Sequence, residues 1–185
     1  MISDIFTRLR GTSITASLMK TINSPDGDIK VIAGGKTAIF AYEKDIPNAN
    51  ITRVPAVLIQ SRGIIDAVYY DKPFTFKNEM WAYTADNLIL VRYLYYYLKN
   101  NIHYLREAGS AMGSMPQISI PVTDKLKIPL VKPKYMNFIV ATLDKFEKLC
   151  NDIGAGIPCE ITLRQKQYEY YRDQLLSFKE TPYDS

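Results

Sequence analysis

The sequence is short of the residues on which most catalytic chemistry depends. It holds one histidine, His103, in 185 residues, so triads and histidine-based metal sites have almost no material. His103 sits in an aromatic segment of helical period and reads as a partly buried helix residue. Cysteine is scarce as well. Cys150 and Cys159 flank a glycine-containing turn, with no nearby histidine to complete a zinc site, and read as two reduced thiols. No apolar run reaches the roughly 18 residues of a membrane span, because Arg92, Lys99, Asn100 and Asn101 interrupt the longest one. Charges at Asp4, Arg8 and Arg10 occupy the place of a signal peptide's apolar stretch, so a cytoplasmic protein with no membrane partner is expected.

Nucleotide and cofactor motifs are missing too. Gly34-Gly35-Lys36-Thr37 has the ending of a phosphate-binding loop but lacks the first glycine at the required distance. The Asn-Pro-Pro-aromatic motif with which amino-methyltransferases hold a flipped base does not occur. Asp26 and Asp28, followed by Lys30, have the residue types of a metal-dependent nuclease. Their closeness in sequence fits a solvated turn better than two separate strands.

What is present is a moderately basic chain with a change of hydrophobic period along it. Residues 1–132 hold 16 Lys and Arg against 11 Asp and Glu, whereas residues 133–185 hold 7 against 8. The positive excess therefore belongs to the first part, where it could offer a patch to phosphate. From Ile29 to Tyr83, short runs rich in β-branched and aromatic residues, such as Ala56-Val57-Leu58-Ile59 and Ala67-Val68-Tyr69-Tyr70, alternate with Gly, Pro, Asn and Asp. These predict strands joined by tight loops. From Asp86 the period turns helical, with Leu88, Val91, Leu94, Tyr95 and Leu98 on one face and a cap at Asp86 or Asn87, and this helix is expected to run to Ala108-Gly109. A last strand is expected at Gln117-Ile118-Ser119-Ile120.

Beyond Pro129 and Pro133 the pattern is helical again. Tyr135, Phe138, Ile139, Thr142, Phe146 and Leu149 form a stripe, and Gly154, Gly156 and Pro158 then break the helix. In the helix that follows, Ile161, Tyr168 and Leu175 recur every seven residues, with Arg164, Tyr171 and Phe178 between them. This heptad pattern predicts a coiled-coil arm, and about 20 residues of it would extend about 30 Å. The fold class expected is α+β: a globular domain over residues 1–132 with a small twisted sheet and helices, then a helical region over 133–185 ending in a long helix of antiparallel coiled-coil type.

The run Leu126-Lys127-Ile128-Pro129-Leu130, the helix ending Leu143-Asp144-Lys145-Phe146, and the stretch Ile157 to Phe178 resemble the helical spacer of type I restriction-modification specificity subunits. Upstream, Arg10-Gly11-Thr12, Ala33-Gly34-Gly35-Lys36-Thr37, Leu58-Ile59-Gln60-Ser61-Arg62-Gly63, Leu94-Tyr95-Tyr96-Tyr97-Leu98 and Pro116-Gln117-Ile118-Ser119 resemble, in that order, the family's target recognition domain. Val131-Lys132-Pro133-Lys134 departs from the family's Ile-Pro-Leu-Pro-Pro stretch. Full-length members carry two recognition domains and two helical regions, and this chain resembles a half-length form with one of each.

The resemblance implies a non-catalytic reader of double-stranded DNA. Arg62 leads the expected DNA contacts, because an arginine fork matches guanine and the small neighbours Ser61 and Gly63 allow close approach. Lys36 follows, then Lys30, Lys77, Asn78 and Gln117. Ile161, Tyr168, Tyr171, Leu175 and Phe178 would form the interface of a homodimer whose arms set the spacing of two half-sites. The implied partners are methyltransferase and restriction subunits; this chain would carry no cofactor, and S-adenosylmethionine, ATP and Mg would sit on those partners. Two other readings stand beside this one: a dimerisation partner that no longer reads DNA, and a metal-dependent nuclease at Asp26 and Asp28.

Overall fold

The computed structural model describes residues 1–35, 37–110, 115–148, 166, 167 and 170, and the chain groups into a first unit, Met1–Val140, and a second, Ala141–Ser185. Strands β1 (Thr7–Arg10), β2 (Ile29–Ile32), β3 (Ala38–Ala41), β4 (Ala56–Gln60), β5 (Asp66–Tyr70), β6 (Phe74–Phe76) and β7 (Trp81–Thr84) combine with helices α1 (Ala16–Ile22), α2 (Leu88–Asn100), α3 (Ile102–Ser110) and α4 (Ile120–Asp124). The α+β class expected from the sequence is what the structure shows.

The strands form two sheets. In the larger one, of order β1-β7-β4-β5, every pairing is antiparallel. In the smaller one β2 lies between β3, antiparallel, and β6, parallel. Strand β4 shows why the two sheets associate. Ala56, Val57, Leu58 and Ile59 are all fully buried, and side chains on a strand alternate between its faces, so both faces must be covered. Val57 and Ile59 join Trp81, Tyr83, Leu94, Leu98 and Leu105 in the core beneath the helices. Ala56 and Leu58 meet Ile32, Phe74 and Phe76 of the smaller sheet in a second core. A third cluster packs Met19 of α1 on Ile29 and Val31.

Helix α2 begins where the sequence placed its cap: the Asn87 side chain accepts from the backbone N–H of Ile89 at 3.0 Å and of Leu90 at 3.4 Å. Its buried face is Val91, Tyr93, Leu94 and Leu98, while Leu88 is 53% exposed. The single helix expected to reach Gly109 is instead two. Asn101 separates α2 from α3, and its amide donates to the Tyr97 carbonyl at 2.8 Å, a local bond that competes with the helical ladder. The strand expected at Gln117–Ile120 is reduced to one bridging residue, Gln117, after which α4 starts. Pro121 in the first turn of α4 favours a helix start and could not donate to a ladder. His103 is exposed rather than partly buried, because it lies on the outward face of α3.

A polar network fastens α4 to the large sheet. Trp81 Nε1 donates to Thr123 Oγ1 at 3.0 Å, and the Tyr83 hydroxyl lies 2.7 Å from the same oxygen. The Tyr83 hydroxyl also donates to Asp124 at 2.5 Å, and Arg8 of β1 closes the chain on the other Asp124 oxygen at 2.6 Å. Burial, with the Asp124 carboxylate beside it, pushes the Tyr83 hydroxyl well above the ordinary tyrosine range, so it remains a donor. The α2 tyrosines fasten the next segment: Tyr93 donates to the Pro129 carbonyl and Tyr97 to that of Lys127, each at 2.9 Å.

Residues 133–140 are helical and seat Met136 and Val140 in the core under the helices, while Tyr135 and Phe138 are largely exposed. The buried stripe is therefore rotated from the one drawn through Tyr135 and Phe138. In the second unit, residues 141–148, 166, 167 and 170 are helical, and Phe146 and Tyr170 are exposed. Ile161, Tyr168, Tyr171, Leu175 and Phe178 lie outside the described residues, as does Lys36. Among the described residues no helix is long and apolar enough to cross a membrane.

Replacing Thr123 with Val keeps its volume but leaves the buried Trp81 N–H without an acceptor. A loss of about 1–3 kcal/mol in stability is expected, read as a lower urea midpoint with unchanged slope.

Candidate functional site

Three loops leave the edges of these sheets and converge. The first is Ser61-Arg62-Gly63, at the end of β4. Ser61 is 1% exposed and its hydroxyl donates to the Glu79 carbonyl at 2.5 Å, so it braces the loop from inside and turns nothing outward. Gly63 has φ of +71°, a left-handed conformation that turns the chain sharply and suits glycine. Between these two, Arg62 is exposed.

Arg62 does not stand alone. Its backbone forms an antiparallel bridge with Gln117, in which Gly63 donates to the Pro116 carbonyl and Ile118 donates to that of Ser61, each at 2.9 Å. The side chains meet as well, Arg62 Nε donating to Gln117 Oε1 at 3.0 Å. The second loop, between β2 and β3, turns at Gly35 with φ of +72°, and Gln60 Nε2 holds the Gly35 carbonyl at 3.0 Å. The third follows β6: the Lys77 N–H donates to the Ile32 carbonyl, and its ammonium lies 3.2 Å from Glu79.

These loops and α1 surround a cleft of about 580 Å³. Arg62, Gly63, Lys77 and the Gly34-Gly35 turn line it with Lys20 and Glu79, over a floor that includes Met19 and Ile39. Of the residues expected to meet DNA, Arg62, Gly63 and Lys77 are thus brought together, with Gln117 bonded to Arg62. The remainder fall elsewhere. Lys30 lies on β2 with its ammonium 5.0 Å from the centre of the Tyr70 ring, in a separate groove. Asn78 is exposed and lines a different cleft, of about 780 Å³, with Arg8, Arg10, Asn48 and Asn50.

Charge in the first unit is less available than its sum suggests. Arg8 is paired with Asp124, Arg53 with Glu43 and Lys99 with Asp66. Arg62 and Lys20 make no ion pair with another described residue, which leaves the positive charge of the cleft on its rim. Lys20 and Glu79 were not foreseen as site residues. Only the folding of α1 and of the turn after β6 against the Gly34-Gly35 loop brings them there. Asp26 and Asp28 are both exposed in the turn before β2. Among the described residues, no group of three or more His, Cys, Asp and Glu side chains could hold a metal ion.

The two-sheet α+β domain thus gathers an arginine, two lysines and glycine turns around one open cleft. Residues 1–163 match the family described as the type I restriction modification DNA specificity domain. The type I restriction enzyme EcoR124I/EcoR124II specificity subunit of Escherichia coli is 42% identical over 147 residues, covering 75% of this chain and 36% of that protein. The putative type I restriction enzyme specificity subunit S.HindORF215P of Haemophilus influenzae is 35% identical over 126 residues, covering 66% and 32%. Among solved structures, the S subunit of the type I restriction-modification system from M. genitalium shares the fold, with a TM-score of 0.64 at 18% identity over 95% of this chain and 45% of that one. The chain belongs to the type I restriction-modification DNA specificity family. It spans about a third of the length of the two relatives named here.

The loop geometry has a direct test. At Gly63 an added methyl group meets no atom within 4 Å, so strain alone opposes it. Gly63→Ala is expected to lower stability by about 1–2 kcal/mol, and Gly63→Asn by less, as measured by chemical denaturation.

Proposed function

We propose that this chain reads double-stranded DNA sequence as a non-catalytic specificity subunit in the cytoplasm, steering methyltransferase and restriction subunits to a split site. The observation that carries this reading is the Arg62 loop: an exposed guanidinium on a braced turn at the rim of a cleft shared with Lys20 and Lys77. Arg62 contacts the O6 and N7 of a guanine in the major groove, and the lysines contact phosphate and set register. Lys36, next to Gly35 in sequence, is a further phosphate contact in this reading. Lys30 and Asn78 belong to neighbouring grooves and act as phosphate contacts at most. Membership of the family supports this reading, as do relatives that are themselves named specificity subunits.

A second recognition domain completes the reader, and we take it to be another copy of this chain. Residues 1–132 form the recognition domain and 133–185 the helical region. Ile161, Tyr168, Tyr171, Leu175 and Phe178 form the seam of an antiparallel coiled coil, holding two heads about one helical turn of DNA apart. S-adenosylmethionine, ATP and Mg serve the methylating and DNA-cutting subunits.

Affinity for duplex DNA is expected to fall steeply as salt rises, in proportion to the phosphates contacted. A flat salt response would remove DNA reading from this chain. Arg62→Ala is expected to cost about 1–3 kcal/mol at one base pair of the target and little at the others, measured with a panel of single-substitution duplexes. Replacing Tyr168 and Leu175 with Asp is expected to halve the mass seen by light scattering, and a mass unchanged by the substitutions would overturn the pairing.

A further inference from the structure

Arg62 and Gln117 were each expected among the DNA contacts, yet they are bonded to one another across 55 positions of sequence. Arginine has five N–H donors in a rigid plane, and the pair that grips guanine lies at the Nη end. In this protein the Nε–H is occupied by Gln117 Oε1, which holds the plane from its side, while the Nη groups of the exposed Arg62 make no hydrogen bond to another described residue. Glutamine reads adenine only by using Oε1 and Nε2 together. Gln117 Oε1 already accepts from Arg62 with one of its two lone pairs, and that bond orients its amide toward the guanidinium.

The platform below the pair is rigid. Gln117 donates its N–H to the Gly109 carbonyl at 3.1 Å, and its neighbour Ile118 is buried in the core. Gly109 itself packs so closely that an added methyl group would fall 2.1 Å from Ile65 Cδ1. The backbone bridge then fixes the spacing of the two side chains, so the bond between them needs little further ordering.

We propose that Gln117 is a positioning residue for Arg62: it reads no base of its own and sets the guanidinium plane with which Arg62 meets guanine. This rests on the reading of Arg62 as a base contact. It predicts that the two residues govern the same base pair. A glutamine acting by itself would govern a neighbouring one.

The test uses the full chain in complex with its methylating partner subunit and a duplex carrying the target, mapped from the adenine methylation it directs. Every single-base-pair variant of that duplex is titrated against the parent, Arg62→Ala, Gln117→Met and the double variant. Met matches the length of Gln without its amide, and a denaturation midpoint checks that the fold is kept. Arg62→Ala is expected to lose roughly 5- to 150-fold of discrimination at one pair. Gln117→Met loses part of that at the same pair, and the double variant loses no more than Arg62→Ala alone, the non-additivity of residues that act as a unit. Gln117→Glu still accepts from Nε, so it retains discrimination while binding all duplexes more weakly, its carboxylate repelling phosphate.

Loss at a different base pair, full additivity, or equal loss in the Glu and Met variants overturns the positioning role while Arg62 remains a reader. An Arg62→Ala protein that discriminates as the parent does overturns both. The Arg62 and Gln117 arms thus separate the failure of the brace from the failure of base reading.

Discussion

The constraint on which the rest depends is the burial of β4 on both faces. A strand with four successive buried apolar residues cannot lie at the surface of one sheet, and the helices on one side and the smaller sheet on the other cover it. Val57 and Ile59 belong to one core, Ala56 and Leu58 to the other, so a shift of register by one residue would exchange the two sets. Pairing with β5 and β7 therefore admits one register. The end of β4 is where this constraint is released, and the Ser61-Arg62-Gly63 turn emerges there. Arg62 is thus mounted at the end of a strand buried on both faces.

Polar groups do the locating. The Ser61 hydroxyl on the Glu79 carbonyl, the Gln60 amide on the Gly35 carbonyl and the Lys77 N–H on the Ile32 carbonyl each join two of the loops that enclose the cleft. Each such bond adds modestly to stability, yet leaving any of these buried groups unpaired would cost more than the bond gives. The same economy holds around α4, where Thr123 and Asp124 receive the polar ends of Trp81 and Tyr83, which are otherwise the largest apolar surfaces of β7.

The strand runs at Ala56 and Ala67 and the cap at Asn87 were legible because each is a local signal: a run, an alternation, a side chain within reach of its own backbone. The break at Asn101 was not, since the competing bond from its amide to Tyr97 decides between one helix and two. Nor was the end of the last strand, where the Pro121 preference for a helix start outweighed the β-branched content of Ile118 and Ile120. The candidate site divides in the same way. The type of residue at Arg62, Gly63 and Lys77 pointed to the cleft, but whether two cations face one groove depends on which sheet edge each loop leaves. Lys30 sits on β2, the central strand of the smaller sheet, and lines the groove beside Tyr70; Asn78, adjacent in sequence to Lys77, lines a different cleft. Ser61 was legible as small, not as buried.

The parallel pairing of β2 with β6 joins segments separated by the whole of β3, β4 and β5. Parallel neighbours need such a long crossover, and contacts of this separation form late because the intervening loop must first be closed. The groove that carries Arg62 is lined from α1, from the turn after β2, from the end of β4, from the turn after β6 and by Met115, so no short stretch of sequence owns it. An exchange of sequence that rebuilds this groove must therefore carry the block from α1 to Gln117 as one piece, whereas point changes alter single positions of its lining.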